Sequence, residues 1–570
     1  MALSSFFETC TPSTFSLSLF GAEIISIQAS VITNYTADVD GGDRFTAPSI
    51  SLQNASFCNV TVTYTHPGYE DGINTEAWLP VDNWNGRFLA HGGGGHRAGR
   101  FPLSTQGMAG AIHDGFATIT TDAGLDFSQE VMVPWALLSP GNVNLHKLQN
   151  LASTSLNDLA AIGKSLIKSF YGRPPSYSYW NGCSQGGRQG LMLAQRYPTA
   201  FDGIAAAAPA IYWTETLFNI FWPEQVMRML GEYPHMCELD AITAAAISKC
   251  DGLDGVTDGI VAEVDECRAN FNPFDLVGTV IPCAQTHTNI PISRAAAAVA
   301  NASWGGIVSP TGEQLWYGLS IDADLTCNGR SAGQLCVAST NCADGNCVPV
   351  RNPLGSQWIQ HFVSKDSNFN LDNLTHEQFA SLFRASQQQY TSIIGTSDPD
   401  LSEFKKAGGK MLTYHGVADG IIPLKHMEVY YRKVSEVVDG VQDFYRFFPV
   451  PGLGHCMGGY QQPTSLFAQL QAWVENGTAP ESSPVSFSGP DGVVQNRIIC
   501  PWPRKARFNS SCGDAAKAEC WACLAPSNHG EPSLDEVREV KKGFKKGAKK
   551  GKASYSNLHP SSPGIQHQEL

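Results

Sequence analysis

Ser184 is the residue around which chemistry can be organised. It stands in G-C-S-Q-G, residues 182–186, a G-x-S-x-G pentapeptide. Upstream, S-Y-S-Y-W (176–180) is aromatic-rich and reads as a strand. Downstream, residues 188–197 carry apolar positions at helical spacing and stop at Pro198, which reads as a helix. A serine at so sharp a strand-to-helix turn has its Oγ pushed out at the top of a sheet, while the flanking glycines tolerate close backbone approach. It also sits at a helix N-terminus, where the N–H of Gln185 can face a developing oxyanion. The alternative is a glycine-rich turn that only closes a βα unit.

Cys183, just before the serine, admits three readings: a rival nucleophile, a buried small hydrophobe or half of a disulfide. Far downstream, G-L-G-H-C (452–456) follows a strand-like apolar run at 443–450 and puts His455 beside Cys456. Residues 410–415 read as another strand, and G-V-A-D-G (416–420), the loop leaving it, carries Asp419. Ser184, Asp419 and His455 follow the Ser…Asp…His order of α/β-hydrolases, as nucleophile, orienter and general base. If Ser184 and His455 must meet within hydrogen-bond reach, Cys183 and Cys456 come close as well. A disulfide there would staple the nucleophile loop to the base loop. An earlier glycine run, H-G-G-G-G-H (91–96), follows the strand-like W-N-G-R-F-L-A at 84–90. Hydrolases of this kind place a second oxyanion donor at that point, because glycine N–H groups approach a carbonyl without a Cβ in the way. Gly94 is the expected donor; a flexible loop is the other reading.

The elements that must position these residues alternate in the first part of the chain. Residues 22–80 run as short alternating segments such as 60–65, residues 117–122 form another strand-like run, and 151–170 make an amphipathic helix leading into the elbow strand. After A-A-A-A-P (205–209) the alternation stops, and the chain from about 213 to 400 is loop-rich, aromatic and cysteine-dense. An insertion between nucleophile and acid is where hydrolases carry a lid. The expected fold is therefore α/β, an α/β-hydrolase fold with a large inserted lid domain. Its catalytic domain would span 1–212 and 401–530, with the lid at 213–400. A basic tail at 531–570 contains E-V-R-E-V-K-K-G-F-K-K-G-A-K-K-G-K (536–552) and reads as solvated and disordered, with polyanion binding as its alternative.

Composition narrows the class. The 570 residues are 42% apolar, 10% aromatic and 16% charged, enough for a large core and more than one domain. A net charge of −14 argues against a nucleic-acid partner. No apolar run is long enough to be a membrane-spanning helix. Sixteen cysteines indicate an oxidising compartment, and Cys520-x-x-Cys523, which no spaced histidine pair accompanies, reads as disulfide rather than zinc or redox chemistry. Cys10 is expected to pair with Cys58; Cys327, Cys336, Cys342 and Cys347 allow three pairings; Cys500, Cys512, Cys520 and Cys523 would tie down a C-terminal flap. Seven N-x-S/T sequons, at Asn34, Asn54, Asn59, Asn301, Asn373, Asn476 and Asn509, also favour a secretory route. Residues 1–30 lack a basic n-region, a continuous apolar core and a cleavage site, so a secretory leader is expected to be missing from this form of the chain.

Within the insertion, D-G-L-D-G-V-T-D-G-I (251–260) is bracketed by Cys250 and Cys267. Asp251, Asp254 and Asp258 on glycine turns supply hard oxygen ligands, at a spacing unlike an EF-hand; a solvated Asp-Gly turn is the alternative.

The C-S…D…H-C arrangement resembles the tannase and feruloyl esterase family of secreted fungal and bacterial esterases, over roughly residues 1–525. The resemblance implies that Ser184, Asp419 and His455 form the triad and that Cys183 and Cys456 are joined. It implies a lid that shapes the acyl pocket. It also implies a structural calcium site, with Asp251, Asp254 and Asp258 binding by carboxylate and Val256 and Ile260 by carbonyl. The expected function is a secreted serine carboxylesterase cleaving esters of phenolic acids, its substrate a small phenolic ester or a feruloylated polysaccharide. A feruloyl esterase is favoured, and a tannase acting on gallate esters is the alternative. Two readings of other classes are a catalytically inactive secreted binding protein and a cysteine hydrolase using Cys183.

Overall fold

The computed structural model describes residues 8–125, 133–328, 336–343, 346–489 and 492–525. The basic run at 536–552 lies outside the described residues. Met1–Cys523 forms one compact unit.

Among the described residues, nine strands make one sheet. They are β1 (Glu23–Val39), β2 (Ile50–Thr65), β3 (Ile73–Pro80), β4 (Arg87–His91), β5 (Ala117–Thr121), β6 (Tyr177–Cys183), β7 (Gly203–Ala207), β8 (Lys410–Gly416) and β9 (Tyr445–Val450). Their spatial order is β1-β2-β3-β5-β4-β6-β7-β8-β9. The first three strands and the β3–β5 pair are antiparallel. From β5 to β9 every pairing is parallel. The architecture is the expected α/β-hydrolase type. Residues of β5 and β7 are buried throughout, as a parallel sheet covered on both faces requires.

Two layers of helices cover the sheet. The helices α1 (Pro102–His113), α2 (Ser155–Tyr171), α3 (Gln185–Arg196), α4 (Trp213–Leu230), α5 (Met236–Cys250), α6 (Arg294–Gly305), α7 (His376–Ile394), α8 (Lys425–Val437) and α9 (Leu466–Asn476) carry the main packing. One core joins the sheet to Leu159, Leu166, Leu191, Met427 and Tyr430 of α2, α3 and α8. On the other face, Leu466, Leu470 and Trp473 of α9 pack against Tyr179, Leu412 and Phe448. The helix expected at 151–170 begins instead with a π-helical turn, Asn150–Thr154, ahead of α2.

The insertion between β7 and β8 departs from its loop-rich reading, because α4 to α7 all lie within it. In α4, every residue from Trp213 to Met227 is buried and Pro223 lies inside the helix. A helix buried on all sides, with Thr214, Glu215, Asn219 and Glu224 among its buried residues, shows no amphipathic stripe, and an internal proline reads as a stop. Its Phe218, Phe221 and Trp222 pack with Phe379 and Phe383 of α7 in a core of their own.

The top of the sheet is closed by backbone contact. A Cβ on Gly92 would lie 2.6 Å from Gly186 Cα and 2.7 Å from both Gln189 Oε1 and Trp180 Cζ2. None of these can retreat, since Gln189 and Trp180 are themselves fully buried. Gly92→Ala is expected to cost about 1–3 kcal/mol through overpacking and to lower the thermal midpoint. Gly305→Ala, with no atom within 4 Å of its Cβ, serves as the control and should leave the midpoint unchanged or raise it.

Candidate active site

Ser184 stands between the end of β6 and the start of α3 with φ 60° and ψ −116°, a conformation that costs energy for a residue with a Cβ. Four backbone bonds hold the turn. Ser184 N–H donates to Ala207 O at 3.0 Å, Arg188 N–H and Ala210 N–H donate to Ser184 O at 2.9 and 3.2 Å, and Gly186 N–H donates to Gly93 O at 3.0 Å. Gly182 and Gly186 are required here: a Cβ on Gly182 would meet the Gly186 carbonyl at 2.8 Å, and one on Gly186 would meet Gly93 O at 2.9 Å. The glycine run at 92–95 is thereby pinned against the nucleophile helix, and Gly93 N–H donates to Gln189 Oε1 at 2.9 Å. Gly94 lines the same cavity as Ser184. Gln185 opens α3, fully buried, with its side-chain carbonyl accepting from Arg188.

His455 Nδ1 lies 2.8 Å from Asp419 Oδ2. Asp419 is buried, and its Oδ1 accepts from the N–H groups of Ile421 and Ile422 at 2.8 and 2.9 Å. Burial opposes its ionisation. The His455 interaction and the hydrogen bonds from His415 and His455 outweigh burial and hold the carboxyl well below the usual carboxylate range. His415 is the member the sequence reading missed. Its Nε2 lies 3.2 Å from Asp419 Oδ2 and 2.9 Å from Ile422 O, so a second, fully buried histidine braces the acid. Only its place four residues before Asp419, at the end of β8, could have marked it. With Nδ1–H directed at Asp419, His455 keeps Nε2 as an acceptor for a hydroxyl proton.

Cys183 and Cys456 are joined, with Cα atoms 5.8 Å apart. This removes the reading of Cys183 as a thiolate nucleophile, since it has no free thiol. The remaining cysteines also pair: Cys10–Cys58, Cys237–Cys283, Cys250–Cys267, Cys327–Cys336, Cys342–Cys347, Cys500–Cys523 and Cys512–Cys520. Cys520 and Cys523 therefore pair outward rather than with each other.

Ser184 and His455 face a cavity of about 580 Å³, within the range of small-molecule sites. Phe45, Phe101, Leu103, Leu354, Ile421 and Met457 form its apolar walls, and Asp43, His96 and Arg97 supply polar groups. Burial, and then His361, push the His96 pKa down to about 3, so this imidazole is neutral. Burial and the neighbouring Asp40 push the Asp43 carboxyl up.

The acidic loop is tightly folded on itself. Asp251 Oδ1 accepts from Asp258 N–H and Gly259 N–H at 2.9 and 2.8 Å; Asp254 Oδ1 accepts from Val256 N–H at 3.1 Å; Asp258 Oδ1 accepts from Ile260 N–H at 2.9 Å. Asp258 Oδ2 pairs with the buried Arg497. Burial, reinforced by Asp258 and Glu263, pushes the Asp254 pKa up to about 6. These are desolvated hard oxygen donors that repel one another, the chemistry a divalent cation relieves. Among the described residues, no three of these acids bring oxygens within 4.8 Å of one another; the group that meets this spacing, His235 with Cys342 and Cys347, has both sulfurs in one disulfide.

The tannase and feruloyl esterase family matches residues 58–524. A probable feruloyl esterase of Arthroderma benhamiae is 39% identical over 489 residues, covering 84% of this chain and 87% of its own length. The structure is similar to that of a tannin acyl hydrolase from Aspergillus niger, with TM-score 0.80, 28% identity and coverage of 93% of this chain and 96% of that one. It also resembles feruloyl esterase B from Aspergillus oryzae, with TM-score 0.71, 24% identity and coverage of 92% and 100%.

The bridge fixes two loops whose side chains must meet, so its loss should act on turnover before it acts on the fold. The double variant Cys183→Ser with Cys456→Ser is expected to lose about tenfold or more in kcat while retaining its circular dichroism spectrum. Wild-type turnover in that variant would show that packing alone holds the two loops.

Proposed function

The chain belongs to the tannase and feruloyl esterase family, and from that membership we propose that it cleaves esters of phenolic acids, of the feruloyl type, through a serine acyl-enzyme. The observation that carries this reading is the His455–Asp419 contact of 2.8 Å opening on the same cavity as the strained Ser184. Ser184 Oγ attacks the ester carbonyl while His455 Nε2 takes its proton, and Asp419 keeps the imidazole in the required tautomer. The N–H groups of Gln185 and Gly94 receive the negative charge that develops on the carbonyl oxygen. His455 then returns the proton to the departing alkoxide. Water, deprotonated by the same imidazole, releases the acid. Ser184→Ala should lower ester hydrolysis by about 10⁴-fold or more with the fold intact; full activity in that variant would remove the serine mechanism.

The apolar walls of the cavity, Phe45, Phe101, Leu354 and Met457, suit a methoxylated ring. A second reading, hydrolysis of gallate esters, is favoured by Asp43 and Arg97, which offer an acceptor and a donor to ring hydroxyls. A panel of methyl ferulate, caffeate, p-coumarate and gallate separates the two. Ferulate is expected to exceed gallate in kcat/KM by about tenfold or more, and the reverse order would make the enzyme a tannase. Feruloylated polysaccharide is the larger substrate this reading admits. An extracellular place of work fits the disulfides, and no helix among the described residues is long and apolar enough to cross a membrane.

Calcium is the cofactor we propose for the acidic loop, with Asp251, Asp254 and Asp258 binding by carboxylate and Val256 and Ile260 by carbonyl. Its role is structural. Chelation, or Asp254→Ala, should lower the thermal midpoint at calcium concentrations that leave initial rates near wild type, since an ion bound to the native state alone stabilises by mass action. Elemental analysis showing active protein without calcium would remove the site.

A further inference from the structure

Arg188 lies one turn into the nucleophile helix, its N–H bonded to Ser184 O. It is fully buried, and its guanidinium has four neutral acceptors. Nε donates to Gln185 Oε1 at 2.6 Å, Nη1 to Ala152 O at 3.0 Å and Thr396 Oγ1 at 3.2 Å, and Nη2 to Leu151 O at 2.8 Å. The two carbonyls belong to the π-helical turn Asn150–Thr154, and Thr396 is bonded through its N–H to Ile211 O, just past β7. One side chain therefore gathers the turn before α2, the end of the insertion and the first residue of α3. A Trp213 ring lies 5.8 Å from its Cζ.

A buried cation satisfied by dipoles is an expensive arrangement, and among the described residues no acid pairs with Arg188 to offset its lost hydration. Burial pushes its pKa down to about 9, with Arg196 adding to the effect, so it stays protonated at neutral pH. Neutral side chains could tie the same three segments together. The charge therefore calls for a reason, and its location supplies one. It sits beneath the positive end of α3, where oriented N–H groups already favour an anion, in a desolvated setting that transmits its field with little screening.

We propose that Arg188 is a positioning residue for the reaction. It fixes Gln185, and with it the N–H that follows Ser184, and its uncompensated charge favours the anionic tetrahedral state over the neutral ester. The inference rests on Ser184 as the nucleophile.

The test compares Arg188→Gln, which keeps hydrogen-bond donors and loses the charge, with Arg188→Lys, which keeps the charge and loses the fork. Substrate kinetics are read with methyl ferulate. Binding is read with the amide of ferulic acid, an uncharged ground-state ligand, and with an arylboronic acid, which forms an anionic tetrahedral adduct on serine. Arg188→Gln is expected to lose about ten- to a hundredfold in kcat with KM within twofold. It should lose boronate affinity by a similar factor and affinity for the uncharged amide by less than twofold. Arg188→Lys should recover most of the loss in both kcat and boronate affinity. A scaffold role would lower both affinities together or move only the thermal midpoint. The proposal is overturned if folded Arg188→Gln keeps kcat within threefold, if its defect appears in KM alone, or if Lys performs no better than Gln. Should Arg188→Gln not fold, the Lys variant decides: retaining the wild-type preference for boronate over the uncharged amide supports the proposal, and losing it overturns it. Activity surviving in Ser184→Ala would refute the serine reading itself, whereas an inactive Ser184→Ala beside a fully active Arg188→Gln would refute this inference alone.

Discussion

The contact between two glycine-bearing segments at the top of the sheet is the constraint on which the site depends. Gly182 and Gly186 flank Ser184, and Gly92 and Gly93 come from a different strand exit. Each would collide with backbone if it carried a Cβ. That proximity permits the Gly186–Gly93 hydrogen bond, and Gly94 and Ser184 line one cavity. The strain stored at Ser184, with its positive φ, is tolerable because bonds from Ser184 itself and from Gly186, Arg188 and Ala210 over-determine the turn. An oxyanion site needs donors fixed before charge appears, and backbone N–H groups locked in this way are fixed.

His455, the proposed base, is held by a different means. His455 lies on a loop after β9, where no helix or strand dictates its direction. Its orientation comes from Asp419, which is itself anchored by the Ile421 and Ile422 N–H groups and braced by His415. Low dielectric strengthens every one of these bonds, and they keep Asp419 ionised although it is buried. Asp419 is therefore a rigid, charged acceptor for the His455 ring.

The parts of this architecture legible in the sequence were those with a local signature. Ser184 sat between a strand pattern and a helix pattern. Asp419 and His455 each lay in a loop just after an apolar run, and the cysteine beside the serine matched the cysteine beside the histidine. The illegible parts were decided by tertiary context. His415 and Arg188 each occupy an ordinary position in a strand or helix, and only the fold reveals that one faces Asp419 and the other lies buried with no acid partner among the described residues. Helix α4 was hidden because burial on all sides erases the periodicity that announces a helix. The choice among three lid pairings, settled as Cys327–Cys336 and Cys342–Cys347, depends on loop geometry that spacing does not encode.

The cross-links do unequal work. In the chain-entropy picture a bridge closing a short loop, such as Cys342–Cys347 with a separation of 5, restrains the unfolded chain little, by about 2 kcal/mol. Cys183–Cys456, with a separation of 273, restrains it most, by about 5.6 kcal/mol. That bridge is also the one bordering the catalytic cleft. A cleft is an opening in the core, so the residues around it have fewer apolar neighbours to fix them than residues under the sheet. Ser184 and His455, from distant parts of the chain, both line this opening. A covalent link at that point supplies long-range restraint without filling the cavity that the substrate must enter. Its position between the nucleophile and the base thus follows from the same requirement that leaves the cavity open.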